Sequence, residues 1–412
     1  MSPLKISWKS IWSKPLSSAL NIILIAFGTG ILTILLLASK QISDKLENNS
    51  KDIDLVVGAK GSPLQLILSS IYYIDFPTGN IPLKETRELA GSPFVKKAVP
   101  LALGDNYNGV RIVGTDSNFV GIYKLKIKEG KFWQSDFETT IGSSVAQNLK
   151  LKIGDTFFGA HGLTGSTDVH KTHAYKVAGI LTPQGNVTDN LILTNISSVW
   201  KMHDPQEEKE HDHGDDHHHD SKDHKEEAPE IQNKEITSLL IQYRSPMSVV
   251  MFPRMVNEST NMQAASPAQE STRLFSLIGV GVDTLQWFAL LIMFIAAISV
   301  FVNLYNSLKE RSYDLAIMRT LGASRTKLFL IVIAEGIMLT LAGTIIGIAL
   351  GHLALEFIGS NQESSQARLT GFILLGDEAY LFAAGLAIGI FAAVIPAVQA
   401  YRSNISKILS KN

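Results

Sequence analysis

Four uninterrupted apolar stretches, residues 16–38, 284–305, 328–358 and 378–400, constrain this chain more than any other feature. Each reaches the length of about 20 residues that carries a helix across the hydrocarbon of a bilayer. Hydrocarbon offers no water to the backbone amides and carbonyls, so each stretch is expected as a helix. The first stretch, behind Lys5, Lys9 and Lys14, also has the outline of a secretory signal peptide. It exceeds the usual signal core of about 7–15 residues and lacks a clean small-x-small cleavage site. The resulting expectation is an integral membrane α-helical protein with four transmembrane helices, one N-terminal and three C-terminal.

Orientation follows from Lys and Arg near the span ends, which are retained on the cytoplasmic side. Residues 1–15 carry Lys5, Lys9 and Lys14; residues 306–327 carry Lys309, Arg311, Arg319, Arg325 and Lys327; residues 401–412 carry Arg402, Lys407 and Lys411. All three segments are expected on the cytoplasmic face of a bacterial cytoplasmic (inner) membrane. Residues 359–377, with Arg368 beside Glu363 and Asp377, form the outer loop. Residues 39–283 are then exported whole, into a periplasmic or extracellular space.

Only 18% of the residues are charged, against roughly 25% in soluble domains, yet mean hydropathy is only +0.14. The average mixes apolar spans with a water-soluble part. The exported stretch is long enough for a core of its own. Short β-type runs at 53–57, 110–113, 175–181, 191–194 and 238–243 are bounded by turn residues, and helical runs lie at 84–90, 143–148 and 246–264. A large α+β domain is expected.

Residues 203–230 interrupt it with HDPQEEKEHDHGDDHHHDSKDHKEEAPE. Twelve acidic and three basic residues lie between Asp204 and Glu230, a balance of −9, so a net charge of −1 leaves the rest of the chain at +8. Such a composition buries too little apolar surface to fold alone and is expected as a disordered loop. It holds seven of the eleven histidines: His203, His211, His213, His217, His218, His219 and His224. Imidazoles and carboxylates at this density suit weak binding of Zn²⁺ or another divalent transition metal; a solvated loop without a specific role is the alternative. A second group, His161, His170 and His173, is expected as surface-loop histidines.

Several chemistries are excluded. The chain has no cysteine, hence no disulfide, thiolate site or cysteine nucleophile. Residues 58–62, GAKGS, depart from the P-loop spacing that cradles phosphates, and neither a Gly-x-Ser-x-Gly elbow nor a His-Glu-x-x-His helix occurs. A non-catalytic membrane subunit without an intrinsic cofactor is expected, in contact with membrane lipid and with no nucleic-acid partner. Within the third span Glu335 and His352 are ionisable, and pairing of Glu335 near the span edge is expected over proton relay. Gly343, Gly347 and Gly351 recur every four residues and are expected to pack closely against another helix, of the same chain or of a second copy.

Residues 303–336, NLYNSLKERSYDLAIMRTLGASRTKLFLIVIAEG, resemble the signature of FtsX/MacB-type ABC transporter permeases, through Arg311, Asp314, Arg319, Leu321, Gly322, Ala323, Arg325 and Glu335. The family usually has Glu where this chain has Asp314. The N-terminal SWKSIWSKPLSSALNIILIAFG and C-terminal AAVIPAVQAYRSNISKIL match as well, although Asn404-Ile405 replaces a frequent Asp-Pro. Residues 113–116, 129–132, 142–146, 154–156 and 177–180 resemble the MacB periplasmic core more loosely. The resemblance implies a permease homodimer working with a separate cytosolic ABC ATPase, whose nucleotide-driven closure is transmitted outward by mechanotransmission. It implies that Arg311, Asp314, Arg319, Leu321 and Gly322 couple to the ATPase. Leu308, Leu315, Met318 and Leu321 are expected to share one apolar helix face, with Gly322 stopping that helix and Ser324 capping the next. The His-rich segment adds an expectation of metal, foremost zinc, homeostasis and of an extracytoplasmic metal-binding or substrate-binding partner. Lipoprotein, lipid or peptide export, or a metal-responsive membrane sensor or scaffold, are the alternatives.

Overall fold

The computed structural model describes residues 3–162, 173–203, 234–361 and 368–402. From the N-terminus, α1 (Pro3–Ser13) and α2 (Pro15–Ser50) precede β1 (Leu55–Ala59), α3 (Pro63–Ser70), β2 (Ile81–Pro82) and α4 (Leu83–Ala90). Then come β3 (Val95–Tyr107), β4 (Val110–Thr115), α5 (Ser117–Tyr123), β5 (Ile127–Gly130), β6 (Glu138–Ile141) and α6 (Ser143–Asn148). They are followed by β7 (Thr156–Phe157), β8 (Ala160–His161), β9 (Tyr175–Leu181), β10 (Ile192–Asn195) and α7 (Ile196–Met202). After residue 233 the chain forms β11 (Glu235–Ile236), β12 (Ser238–Tyr243), α8 (Pro246–Ser259) and β13 (Met262–Ala265). Four helices complete it: α9 (Pro267–Glu310), α10 (Ser312–Thr320), α11 (Arg325–Ser360) and α12 (Glu378–Arg402).

Two compact units result, one of the described residues within 1–41, 278–361 and 369–412, the other of those within 42–277 and 362–368. In the second, eleven strands run in the order β13-β1-β12-β3-β4-β10-β6-β9-β5, with β8 added to β3 and β7 to β9; β2 and β11 pair separately. β10 lies parallel to β4 and β6 to β9, and the other pairs are antiparallel. Side chains alternate between sheet faces, and both faces are covered. Val56, Val99, Leu240, Val113 and Leu193 enter one core with α3 and α5. Their neighbours Leu55, Leu239 and Ile241 enter a second core with α4 and α8, and Ile112 and Ile192 a third with α6. Continuous apolar strands are the signature of a sheet buried on two sides.

Some boundaries differ from those the hydropathy pattern suggests. α2 and α9 run well beyond 16–38 and 284–305, because apolar length marks the span while polar helix-forming residues such as those at 40–50 prolong the helix. The helix expected over 246–264 ends at Ser259. Thr260 leaves the helical region, its Oγ1 accepts from the Met262 amide at 3.0 Å, and Asn257 Oδ1 accepts from the Ala264 amide at 2.9 Å. Residues 262–265 thereby become a strand against β1. Residues 54–70 form strand, turn and helix: Ser62 caps α3, and a Cβ on Gly58 would meet the Leu66 side chain.

Among the described residues four helices, α2, α9, α11 and α12, are long and apolar enough to cross a membrane, and their apolar stretches lie in the other unit. α11 is held on two faces. Ideal Cβ atoms on Gly343 and Gly351 would lie 2.7 Å from Ile25 and Thr33 of α2, and one on Gly347 would strike Thr29. On its other side Gly336 faces Gly389 and Ala393 of α12, while Thr340 and Thr344 of α11 fill the notches of Gly389 and Gly385. The pairings make α2 parallel to α11, as the first and third of four spans require, and α12 antiparallel to it, as consecutive spans require. Replacing Gly347 by Leu is expected to destabilise this unit by about 2–3 kcal/mol through overpacking. Gly281→Ala, whose added Cβ meets nothing within 4 Å, should not destabilise it and, inside a helix, should stabilise it by up to about 1 kcal/mol. Thermal unfolding of the detergent-purified chain reads both.

Candidate functional site

In the membrane unit, residues 306–327 hold a short helix between two turns. α9 ends at Glu310, α10 follows, and Gly322, at φ +95°, reverses the chain in a conformation that glycine adopts without strain. Ser324 then caps α11, its Oγ accepting from the Lys327 amide at 3.2 Å. Leu315, with Leu308 and Met318, packs on Leu328, Ile331 and Val332 of α11 and Ala397 and Ala400 of α12. Leu321, expected on that face, is 81% exposed instead. It follows Leu315 by six residues, about 120° away around a helix. With Ile317 and Tyr313, four and eight residues earlier, it forms an exposed apolar strip beside exposed Asp314.

α1 braces this region. Its buried serines let it lie close to α11: Ser7 Oγ donates to the Ile331 carbonyl at 2.8 Å and Ser10 Oγ to Glu335 Oε1 at 2.5 Å. Arg311, expected to stand available to a partner, donates from Nη2 to the Ser10 carbonyl at 3.3 Å and to Ser13 Oγ. Lys14 pairs with Glu310. A cleft of about 400 Å³ remains, lined among others by Lys5, Lys9, Asp314, Met318 and Glu335. Arg319 is half-buried on α10. Near the far end of α11, His352 Nε2 lies 3.2 Å from Glu378 Oε2, and Glu356 accepts from Thr370 Oγ1 at 2.7 Å and from the Gly371 amide at 2.9 Å.

The sheet unit brings together three residues far apart in sequence. Asp105 on β3 is 1% exposed; His161 Nδ1 on β8 lies 3.5 Å, and His203 Nε2 at the end of α7 lies 3.4 Å, from Asp105 Oδ1. The imidazoles face each other with centroids 5.0 Å apart. Asn106 Nδ2 donates to the carbonyls of Ala160 and Gly162, each at 3.0 Å, and the Gly162 amide donates to the Gly104 carbonyl at 3.2 Å, fixing the turn that carries His161. Arg111 donates to the same Gly162 carbonyl and to the Asp75 carbonyl; burial lowers its pKa to about 10, so it stays charged near neutrality. Burial, reinforced by the Asp105 charge, raises the Tyr175 hydroxyl pKa.

The two sequence-level histidine groups are therefore divided differently. His203, from the His-rich segment, joins His161; His211, His213, His217, His218, His219 and His224, like His170, lie outside the described residues. His173 stacks on Phe137 with centroids 4.6 Å apart. Among the described residues Asp105, His161 and His203 form a set of ligand-type side chains whose donor atoms all lie within 4.8 Å of one another. Asp105 escaped the sequence reading because nothing local distinguishes it. Its one signal was the polar pair Asp105-Asn106 directly after the run AVPLALG at 98–104.

Comparison with known proteins bears on both units. The model of the MacB-like periplasmic core domain matches residues 18–249, and that of the FtsX-like permease C-terminal matches residues 287–405. No curated protein sequence matches the chain. Among solved structures, the periplasmic region of MacB from Actinobacillus actinomycetemcomitans is similar at 10% identity and TM-score 0.33, covering 56% of this chain and 97% of that one. The extracellular domain of the noncanonic ABC-type transporter YknZ from Gram-positive bacteria is similar at 13% identity and TM-score 0.30, covering 52% and 99%. The first match alone spans more than half of the 412 residues, and the two together reach from the first apolar helix to the last: the chain belongs to the FtsX/MacB-type ABC transporter permeases, inner-membrane proteins with a large extracytoplasmic domain.

Proposed function

We propose that the chain is the membrane subunit through which ATP hydrolysis on a separate cytosolic chain does conformational work outside the membrane, with both termini cytoplasmic and two copies forming the working permease. The observation that carries this reading is α10: one face is anchored by Leu315 against α11 and α12, and the opposite face presents Tyr313, Asp314, Ile317 and Leu321. An exposed apolar strip edged by charge is a docking surface for another protein. Force on α10 has a short route onward, because Arg311 and Glu310 bind α1 and Ser10 of α1 binds Glu335 of α11.

Zinc homeostasis is the system we favour, with an extracytoplasmic metal-binding protein as a partner. Seven clustered histidines and the Asp105, His161, His203 set support it. Lipoprotein, lipid or peptide export within the same family, or a metal-responsive sensor or scaffold, are the competing roles. A direct ion path through the spans is disfavoured: the glycine-faced seams of α11 hold carbonyl-bonded threonines in place of ligand side chains.

Leu321→Glu and Asp314→Lys should each reduce ATPase co-purification and permease-stimulated hydrolysis by tenfold or more, while the thermal unfolding of the permease is retained. Unchanged stimulation overturns the docking assignment. Glu335→Leu should separate docking from transmission. The ATPase still co-purifies, but coupled activity falls at least tenfold, since a buried serine loses its acceptor and α1 its tie to α11. For the metal reading, deleting the gene should change growth under zinc limitation or zinc excess; a strain indifferent to both overturns it.

A further inference from the structure

We infer that Asp105, His161 and His203 form an exchangeable divalent transition-metal site, for Zn²⁺ first, on the extracytoplasmic domain. The inference rests on the metal-linked reading above and names the place where the ion would be held. The donor spacing is the first argument. Zinc takes imidazole nitrogen and carboxylate oxygen at about 2.0–2.2 Å, and donors at two corners of such a tetrahedron stand about 3.3–3.6 Å apart. His161 Nδ1 and His203 Nε2 lie 3.5 and 3.4 Å from Asp105 Oδ1. These separations exceed the 2.7–3.2 Å of an ordinary N–H···O hydrogen bond. They match the edges of a coordination polyhedron better than a direct bond.

The ligand set decides the class of ion. Two imidazoles and one carboxylate suit zinc and its borderline neighbours, whereas Mg²⁺ and Ca²⁺ take all-oxygen sets. The surroundings hold the donors in place. Asp105 comes from the long strand β3 and is the register partner of His161 on β8. Asn106 and Arg111 secure the turn at Gly162, and Gly104 leaves room beside His203, where even an added Cβ would stand 3.6 Å from Nε2. Groups that orient ligands from behind are typical of built metal sites.

Among the described residues three donors converge, and a tetrahedral ion held by these three keeps a fourth position for water or an incoming ligand, the arrangement of zinc sites that exchange or react rather than of closed structural ones. The geometry is graded to match. The carboxylate is buried at 1% exposure, while the His161 and His203 side chains remain 44% and 35% exposed. An ion would enter past the imidazoles, and a donor molecule in the same compartment could reach the open position. Binding would also tie the end of α7 to the β3-β8 pair.

The test uses the full-length chain in detergent with His211, His213, His217, His218, His219 and His224 all changed to Gln. Titration with Zn²⁺, and with Co²⁺ followed by visible absorption, should find one site per chain. His161→Gln and His203→Gln should each weaken it at least tenfold without changing metal-free thermal unfolding. His203→Cys should retain it and add the near-ultraviolet band of a Co²⁺-bound thiolate. Absence of a stoichiometric site in the six-histidine variant, or a site indifferent to both Gln changes, overturns the inference. Its failure is separable from failure of the metal-linked reading. A zinc growth phenotype without this site leaves the system metal-linked through other ligands, and a bound ion in a strain indifferent to zinc leaves the site without that system.

Discussion

Polar groups inside hydrocarbon must be satisfied by the protein itself, and the membrane unit is organised around that requirement. Thr29, Thr33, Thr340 and Thr344 each donate to the carbonyl four residues back, and Ser299 donates to Asn21 across two helices. Hydroxyls satisfied within their own helix are compact enough to sit in glycine notches, so α2, α11 and α12 approach until backbone meets side chain. The ionisable residues of α11 follow the same rule near its two ends. Glu335 accepts from Ser10, and His352 faces Glu378. Apolar packing and polar satisfaction are thus one arrangement here.

The sheet unit meets the complementary demand of a water-soluble domain. β3, thirteen residues long, is shared by both parts of the sheet: its first half pairs with β12 and its second with β4 and β8. Thr237 reinforces the junction, its Oγ1 accepting from the Leu103 amide at 2.9 Å. The last residues of the strand are polar although buried, and neighbouring groups satisfy them: Asn106 donates to the carbonyls of Ala160 and Gly162. Asp105 and Asn106 occupy that stretch, and the cluster with His161 and His203 is built there.

Much of this was legible in the sequence, for identifiable reasons. Apolar length located the four long helices, since crossing a membrane demands it. Alternating or continuous apolar runs located β9 and β12 at their observed limits, 175–181 and 238–243. Where side-chain hydrogen bonds end an element, as at Thr260, periodicity carried the helix too far. Residues 306–327 were readable as a family motif, whereas Leu321, six residues and about 120° beyond Leu315, points away from the apolar face that the motif's leucines suggest. Asp105 was invisible for a different reason. A metal-type cluster assembled from a strand, a hairpin edge and a helix terminus has no spacing rule, and only the β3-β8 register reveals it.

The facing repeats of α2 and α11 have a mechanical consequence. Ile25, Thr29 and Thr33 recur every four residues, as do Gly343, Gly347 and Gly351 opposite them. Sliding one helix along the other by a fraction of that repeat drives these side chains onto the ridges between the notches. The next register in which the surfaces mesh is a full repeat away, about 6 Å at 1.5 Å per residue. Between such positions the seam resists shear as a toothed rack does. A displacement of either helix along its axis would therefore move α11 and α2 as a joined pair instead of being lost as slip.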